Sequence, residues 1–268
     1  MRDSALIERF DVGPAGGQSP LAEVVVVIPA LNEESGLAQT LRAIPSVGEV
    51  IVVDNGSKDR TADVARENGA VVLTEPERGY GAACQRALAY LRNYHPLPWT
   101  TVVFLDADFA DDPALLPLVA GPVLNDDAEL VIGSRMLGRR EPGAMPWHAA
   151  LGNRLVSFLL RLSTGTPTTD LGPFRAASLR RLLALGMRDR RYGWTIEMQI
   201  RAAQAGWRVH EIPVPYRRRM GKSKISGTFF GSLRAAVAIS TAVVRYSTVT
   251  LFARLRGWST SQPRKTAK

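Results

Sequence analysis

The chain has 268 residues, 46% hydrophobic and 22% charged, enough for one large α/β domain with or without an appendage. Its one cysteine, Cys84, excludes an internal disulfide and a cysteine-cluster metal site, and residues 1–20 lack an apolar core of signal-peptide length. The net charge of +9 is segregated: residues 1–134 carry 9 Lys and Arg against 20 Asp and Glu, and residues 135–268 carry 25 against 5, so the second half points to an anionic partner.

Residues 1–20, with Gly13, Pro14, Gly16, Gly17 and Pro20, read as a flexible arm. "EVVVVIPA" is continuous and β-branched, the mark of a strand buried on both faces. "SGLAQTLRAIPS" follows as a helix, with Ser35 its candidate cap. "EVIVVDNGS" is a second strand, and "DRTADVARENGA" a second helix begun near Asp59 and ended by Gly69. "VVLTEP" and "YGAACQRALAYLRN" form the third pair. "TTVVFLDAD" is strand four, "DPALLPLVAGPVL" a helix entered through Pro113, and "AELVIGSR" strand five. The alternation predicts an α/β fold with a doubly wound, mainly parallel sheet. Such sheets bind ligands beyond the carboxyl ends of their strands. The polar clusters fall there: Asn32 and Glu33, Asp54, Asp106 and Asp108, Ser134 and Arg135.

Beyond residue 140, "WHAALGNRLVSFLLRLST" reads as a helix, "TTDLGPFRAAS" as a polar turn and "TIEMQIRAAQAGW" as a helix. "RVHEIPVPY" is an extended strand and "RRRMGKSKISG" a basic loop. The apolar run within 228–257 is interrupted by Arg234, Arg245 and Arg256, and its longest uncharged stretch falls short of the about 20 residues a bilayer span needs. The three arginines recur at a spacing close to three helical turns, so they share one stripe. The segment is therefore expected to form C-terminal amphipathic, interfacial helices with arginines at lipid phosphates, or else a helix packed on the domain or on a membrane partner protein. Residues 258–268 read as a disordered tail.

"VVFLDADFADDP" ends an apolar run in four aspartates. In an extended segment Asp106 and Asp108 share a face, where two carboxylates can hold a divalent cation together with substrate phosphates. The cation also removes their mutual repulsion. Asp111 and Asp112, just before Pro113, suit a helix N-terminus. Asp54 suits a nucleobase or ribose, or is part of a plain turn with Asn55, Gly56 and Ser57. "RGYGAAC" departs from the dinucleotide fingerprint: Cys84 replaces the third glycine, and the segment follows the third strand. Gly79 and Gly81 instead let backbone approach a ligand, or turn the chain into the helix. The basic loop is short and poor in aromatics, which argues against nucleic acid.

In order, "VVVVIPALNEE", "VIVVDNGSKDRT", "ERGYGAACQRAL", "VVFLDADFADDP", "VIGSR", "DLGPFRA", "YGWTIEMQIRA" and "RRMGKSK" resemble the family 2 glycosyltransferases. More narrowly they resemble the dolichyl- or polyprenyl-phosphate sugar synthases, with mannose or glucose as the sugar. The resemblance implies a GT-A fold over residues 21–227, a divalent metal (Mg²⁺ or Mn²⁺), a GDP- or UDP-hexose donor and inversion at the anomeric carbon. It places Asp54 at the base, with Pro29, Ala30, Glu33 and Gly79 in the donor pocket, and Asp106 and Asp108 at the metal. Arg135 matches an arginine near the acceptor. Arg218, Gly221, Ser223 and Lys224 match the R-x-x-G-x-S-K loop, whose charges would stabilise the departing diphosphate. Two positions depart from the pattern. Ala110 stands where a metal-holding Gln is common, so Asp111 or water would supply that oxygen. Asp54-Asn55 replaces a frequent Asp-Asp.

A phosphate monoester, with its second pKa near ~6, is already a nucleophile at neutral pH. A hydroxyl acceptor would need a base, for which Asp170 and Glu197 are the candidates. Otherwise Asp170 orients Arg175 or acceptor-site groups, and Glu197 sits in the acceptor region. His95, His148 and His210 are scattered and receive no role. The expected activity is transfer of a hexose to polyprenyl phosphate by a peripheral protein on the cytoplasmic face of the membrane. A hydroxyl acceptor is the alternative, and a non-catalytic nucleotide-sugar-binding protein a further one.

Overall fold

The computed structural model describes residues 19–94 and 96–221. The expected helices over 228–257, the tail over 258–268, most of the arm, His95, Lys222, Ser223 and Lys224 lie outside the described residues. Seven strands form one sheet: β1 (Val24–Ala30), β2 (Glu49–Asp54), β3 (Val71–Thr74), β4 (Thr101–Phe104), β5 (Leu130–Ser134), β6 (Arg175–Ser178) and β7 (Val209–Pro213). The helices are α1 (Glu34–Ala43), α2 (Thr61–Glu67), α3 (Tyr80–Leu91), α4 (Leu116–Leu124), α5 (Trp147–Thr164), α6 (Leu179–Ala184) and α7 (Trp194–Gln204).

The strand order is β3-β2-β1-β4-β6-β5-β7. β1, β2, β3 and β4 run parallel, as do β5 and β7, while β6 runs antiparallel between β4 and β5. β1 is apolar throughout because both its faces are covered. Val25 and Val27 pack with Phe104 and Trp194 on one side, and Val24, Val26 and Ile28 pack with Leu37 and Val119 on the other. Each large side chain so buried contributes roughly 1.5–3 kcal/mol.

Three expectations change. The stretch expected as a polar turn at 168–178 supplies β6, whose Ala176 and Ala177 are fully buried. Four residues led by an arginine carry no strand period, and pairing on both edges makes the strand. Ser35 does not cap α1; it lies inside the helix, and Glu33 holds the cap position with its backbone N–H donated to Thr61 Oγ1 at 2.8 Å. β4 stops at Phe104, so Asp106 and Asp108 stand on a turn beyond the strand. The shared-face argument for an extended pair does not apply there.

Candidate active site

The turn after β4 is held by its neighbours. Leu105 N–H donates to Val27 O at 3.1 Å, and Thr40 Oγ donates to Ala107 O at 3.1 Å. A Cβ on Gly36 would stand 3.0 Å from Ala107 O and from the Asp108 Cα, so α1 sits directly against the acidic turn. Phe109 takes φ 59°, a conformation costly for an aromatic residue. Surrounding bonds fix it: Ala110 N–H donates to Asp108 Oδ1 at 3.1 Å, Arg217 N–H to Ala110 O at 2.9 Å, and Met220 N–H to Asp108 O at 2.9 Å. The basic segment 217–220 is thereby clasped along the acidic one, and the Arg217 guanidinium lies 5.2 Å over the Phe109 ring.

Three aspartates converge here. Asp108 is 3% exposed, and its Oδ2 lies 3.1 Å from Arg219 Nη2, which also reaches Glu33 Oε1 at 3.1 Å. Asp106 lines the cleft; burial, then the charges of Asp108 and Asp111, push its carboxyl well above the ordinary range. Asp111 was expected at a helix N-terminus with Asp112, but only Asp112 serves there, accepting from Ala114 N–H at 3.2 Å. An antiparallel bridge to Tyr216 instead holds Asp111 in the site. It is 2% exposed, and neither carboxylate oxygen has a hydrogen-bond partner. Burial, opposed by Arg135, pushes it up to about 7.

Asp106 and Asp108 suit a divalent cation, which would offset their repulsion. Among the described residues no group of three or more His, Cys, Asp or Glu side chains is placed to hold a metal ion by itself. Mg²⁺-type sites need none, because phosphate oxygens and water complete them. Ala110, 1% exposed, contributes no side-chain oxygen.

A cleft beside the turn is lined by Pro29, Ala30, Glu33, Asn55 and Gly79, with Arg191, Tyr192 and Arg219 also facing it. Asp54 lies just behind, its Oδ1 accepting from Ser57 N–H at 3.1 Å. Asn55 explains why a second aspartate is absent. Its Nδ2 donates to Glu75 O at 2.9 Å and Glu77 O at 2.7 Å, while its Oδ1 accepts from Gly79 N–H at 2.8 Å. A carboxylate has no hydrogens to donate to those two carbonyls. Gly79 and Gly81 admit backbone of this chain: added Cβ atoms would meet Arg190 O at 2.1 Å and Asp189 O at 2.2 Å. Gly81 N–H and Ala82 N–H donate to Arg191 O and Arg190 O, so the start of α3 is already occupied. That leaves no dinucleotide phosphate cradle.

On the other side, Asp170 is fully buried and grips Arg135. Burial raises its carboxyl, but the Arg135 charge and hydrogen bonds outweigh this and hold it below the ordinary range. The Arg135 guanidinium also lies 5.0 Å over the Tyr216 ring. Asp170 therefore orients Arg135 rather than Arg175. Arg175, the partner expected for Asp170 and a candidate substrate-binding residue from the sequence, is instead fully buried and donates to Gly172 O and Thr195 O. Glu197, also fully buried, accepts from Arg188 N–H, Asp189 N–H and Arg201 Nε, which fixes the segment leading to Arg191 and Tyr192. Neither carboxylate is free to act as a base. Arg218 is exposed and donates to Pro142 O at 2.7 Å, away from the acids, while its neighbour Arg219 reaches them. The R-x-x-G-x-S-K match selects Arg218, but the lie of 217–220 along 108–110 turns Arg219 to the acids instead. Tyr192 and Arg219 lie within quoted motifs but received no role there, and Arg191 lies in none; the fold brings all three to the cleft.

The glycosyl transferase family 2 sequence model matches residues 25–184. An uncharacterized glycosyltransferase of Mycobacterium tuberculosis is 43% identical over 216 residues, 79% of this chain and 94% of that protein. A dolichyl-phosphate hexose transferase of Haloferax volcanii is 33% identical over 211 residues, 76% and 86% of the two chains. Among solved structures, glucosyl-3-phosphoglycerate synthase from M. tuberculosis, crystallised with Mn²⁺, UDP and its product, superposes with a TM-score of 0.66 at 23% identity, covering 84% of this chain and 80% of that one. That likeness extends to the fold.

Proposed function

This chain belongs to glycosyl transferase family 2 and is a glycosyltransferase; we propose that it moves a hexose from a GDP- or UDP-sugar to polyprenyl phosphate, with inversion, at the cytoplasmic face of the membrane. The acceptor phosphate oxygen attacks the anomeric carbon, the bond from that carbon to the diphosphate oxygen breaks, and its electron pair leaves with the nucleoside diphosphate. Pro29, Ala30, Glu33, Asp54 and Gly79 bound the nucleotide side. Asp106 and Asp108 would hold Mg²⁺ or Mn²⁺, with Asp111 or water supplying a further oxygen. When bound, that cation offsets charge on the departing diphosphate. Arg219 does so from the protein, with Ser223 and Lys224 following it in sequence. Arg135, fixed by Asp170, faces the acceptor phosphate.

The observation that carries the acceptor is the engagement of both candidate bases. Asp170 is paired with Arg135, and Glu197 is filled by two backbone N–H groups and Arg201. A hydroxyl acceptor would need one of them free, whereas a phosphate is already ionised. The name of the Haloferax relative agrees with a lipid-phosphate acceptor. The test is transfer of radiolabel from a panel of nucleotide sugars to polyprenyl phosphate. Chloroform-extractable label lost in Asp108→Ala is expected. Label found only in water-soluble product would overturn the reading in favour of a hydroxyl or soluble acceptor.

A further inference from the structure

α5 is apolar on two opposite faces. Val156 and Leu160 pack inward on Ile196 and Ile200 of α7. On the other face Trp147, Leu151, Leu155, Phe158 and Leu162 are 75%, 58%, 56%, 57% and 63% exposed. Their spacings of three and four residues make one continuous stripe along the helix. Single exposed apolar residues are ordinary, but a row of five large ones is not. Arg154 and Arg161 are exposed on the same helix, which contains no acid. Arg139 and Arg140 are exposed in the preceding loop, and the one acid between Ser134 and Asp170 is Glu141, whose carboxylate accepts from Arg218 N–H.

We propose that this face of α5 docks on an anionic lipid surface, with the apolar stripe in the headgroup region and the arginines at lipid phosphates. An apolar stripe beside cations alone is the pattern of a helix lying in a membrane interface. Charge selects lipid over a second copy, because a two-fold contact through α5 would bring the arginines of both copies together with no acid on either helix. No described helix is long and apolar enough to cross a membrane, so the contact is a surface one. The inner face explains why it matters. Asn153 Nδ2 donates to Thr169 O at 3.0 Å, and Asn153 Oδ1 accepts from Leu171 N–H at 3.0 Å. α5 thus carries the loop that bears Asp170, so docking brings the Asp170–Arg135 pair toward the lipid.

The inference rests on the membrane part of the proposed function, but its test uses no sugar transfer. Full-length chain is sedimented with phosphatidylcholine vesicles with and without phosphatidylglycerol. Binding to the anionic vesicles only is expected, falling at least about tenfold in Leu155→Glu/Phe158→Glu and more weakly in Arg154→Ala/Arg161→Ala. Melting temperature and far-ultraviolet circular dichroism check that the variants fold. A second readout does not depend on the glutamates. Cys84 is buried, so Phe158→Cys can be labelled with an environment-sensitive dye and compared with Glu67→Cys on α2. A blue shift at 158 alone, on adding anionic vesicles, supports the proposal. Full vesicle binding by the folded glutamate variant, or no shift at 158, overturns it. A label at 158 already blue-shifted without lipid overturns it too, and places a second copy or residues 228–257 on the stripe, the former if the mass in solution is dimeric. If vesicle binding behaves as expected but lipid phosphate is not glycosylated, the acceptor reading fails and the docking surface stands.

Discussion

Asp170 binds Arg135 from three directions: Nε to Oδ2 at 2.9 Å, Nη2 to Oδ1 at 2.9 Å, and the Arg135 backbone N–H to Oδ2 at 2.8 Å. The carboxylate is fully buried and the arginine side chain 15% exposed, so the pair presents a fixed cation to the site. Replacing Asp170 by Asn leaves that cation without its counter-charge. Breaking a buried pair costs about 3–5 kcal/mol, and loss of a positioned charge lowers kcat about 10²-fold. Urea unfolding and kcat with saturating donor check both. Because the Asp170 pKa is held down in the folded state, its stabilisation is present above the ordinary carboxylate pKa near ~4 and is lost as pH falls through the depressed value. The stability gap between the wild type and Asp170→Asn should therefore narrow only below about pH 4.

Arg219 and Arg218 should separate cleanly. Arg219→Ala removes the cation that bridges Glu33 and Asp108, and kcat should fall on the order of 10²-fold. Arg218→Ala removes an exposed contact to Pro142 O, and kcat should change less than about threefold. A larger loss in Arg218→Ala than in Arg219→Ala would place the working arginine at 218.

Asn55→Asp exchanges two donated hydrogen bonds for repulsion between a carboxylate and the carbonyls of Glu75 and Glu77. The donor wall at Gly79 should loosen. The expected outcome is a donor KM raised about tenfold with a smaller change in kcat, measured at saturating acceptor.

Asp111→Asn removes a buried charge whose oxygens have no partner. Without metal the variant should melt higher than the wild type at pH values above about 7, where the buried Asp111 carboxylate is charged. The rise in melting temperature on adding Mn²⁺ should shrink, because a ligand that binds the native state stabilises it in proportion to its affinity. A thermal shift series with and without chelator reads both. An unchanged Mn²⁺ response would remove Asp111 from the metal.

Gly36→Ala would push a methyl against the Ala107 carbonyl and the Asp108 Cα. A helix interior normally gains from this exchange, so a loss of about 1–3 kcal/mol would report the contact with the turn. Weakened Mn²⁺ binding should accompany it, read by the same thermal shift.

Much of this molecule was legible before it was folded. β1 and β2 announced themselves because strands covered on both faces must be apolar throughout, and the acids at Asp106 and Asp108 stood out because charges do not otherwise end such a run. The alternation of these strands with helices gave the parallel sheet and its site edge. β6 was not legible, since four residues led by Arg175 owe their strand to partners on both sides. Nor was the division of labour among the acids: Asp111 and Asp112 are neighbours with the same side chain, and only the bridge to Tyr216 sends one to the site and leaves the other to a helix start.

The sequence alone determined the sheet and the cluster of chemistry at its carboxyl edge, because burial and periodicity are local demands written residue by residue, and its ordered motifs carried the family resemblance. The tertiary structure decided which of three consecutive arginines meets the acids, which carboxylate holds Arg135, and that α5 leaves five large apolar side chains in the open. Those facts depend on where distant segments pass one another. Segment 217–220 lies along 108–110, and Asp170 under Arg135, only once the whole sheet has closed.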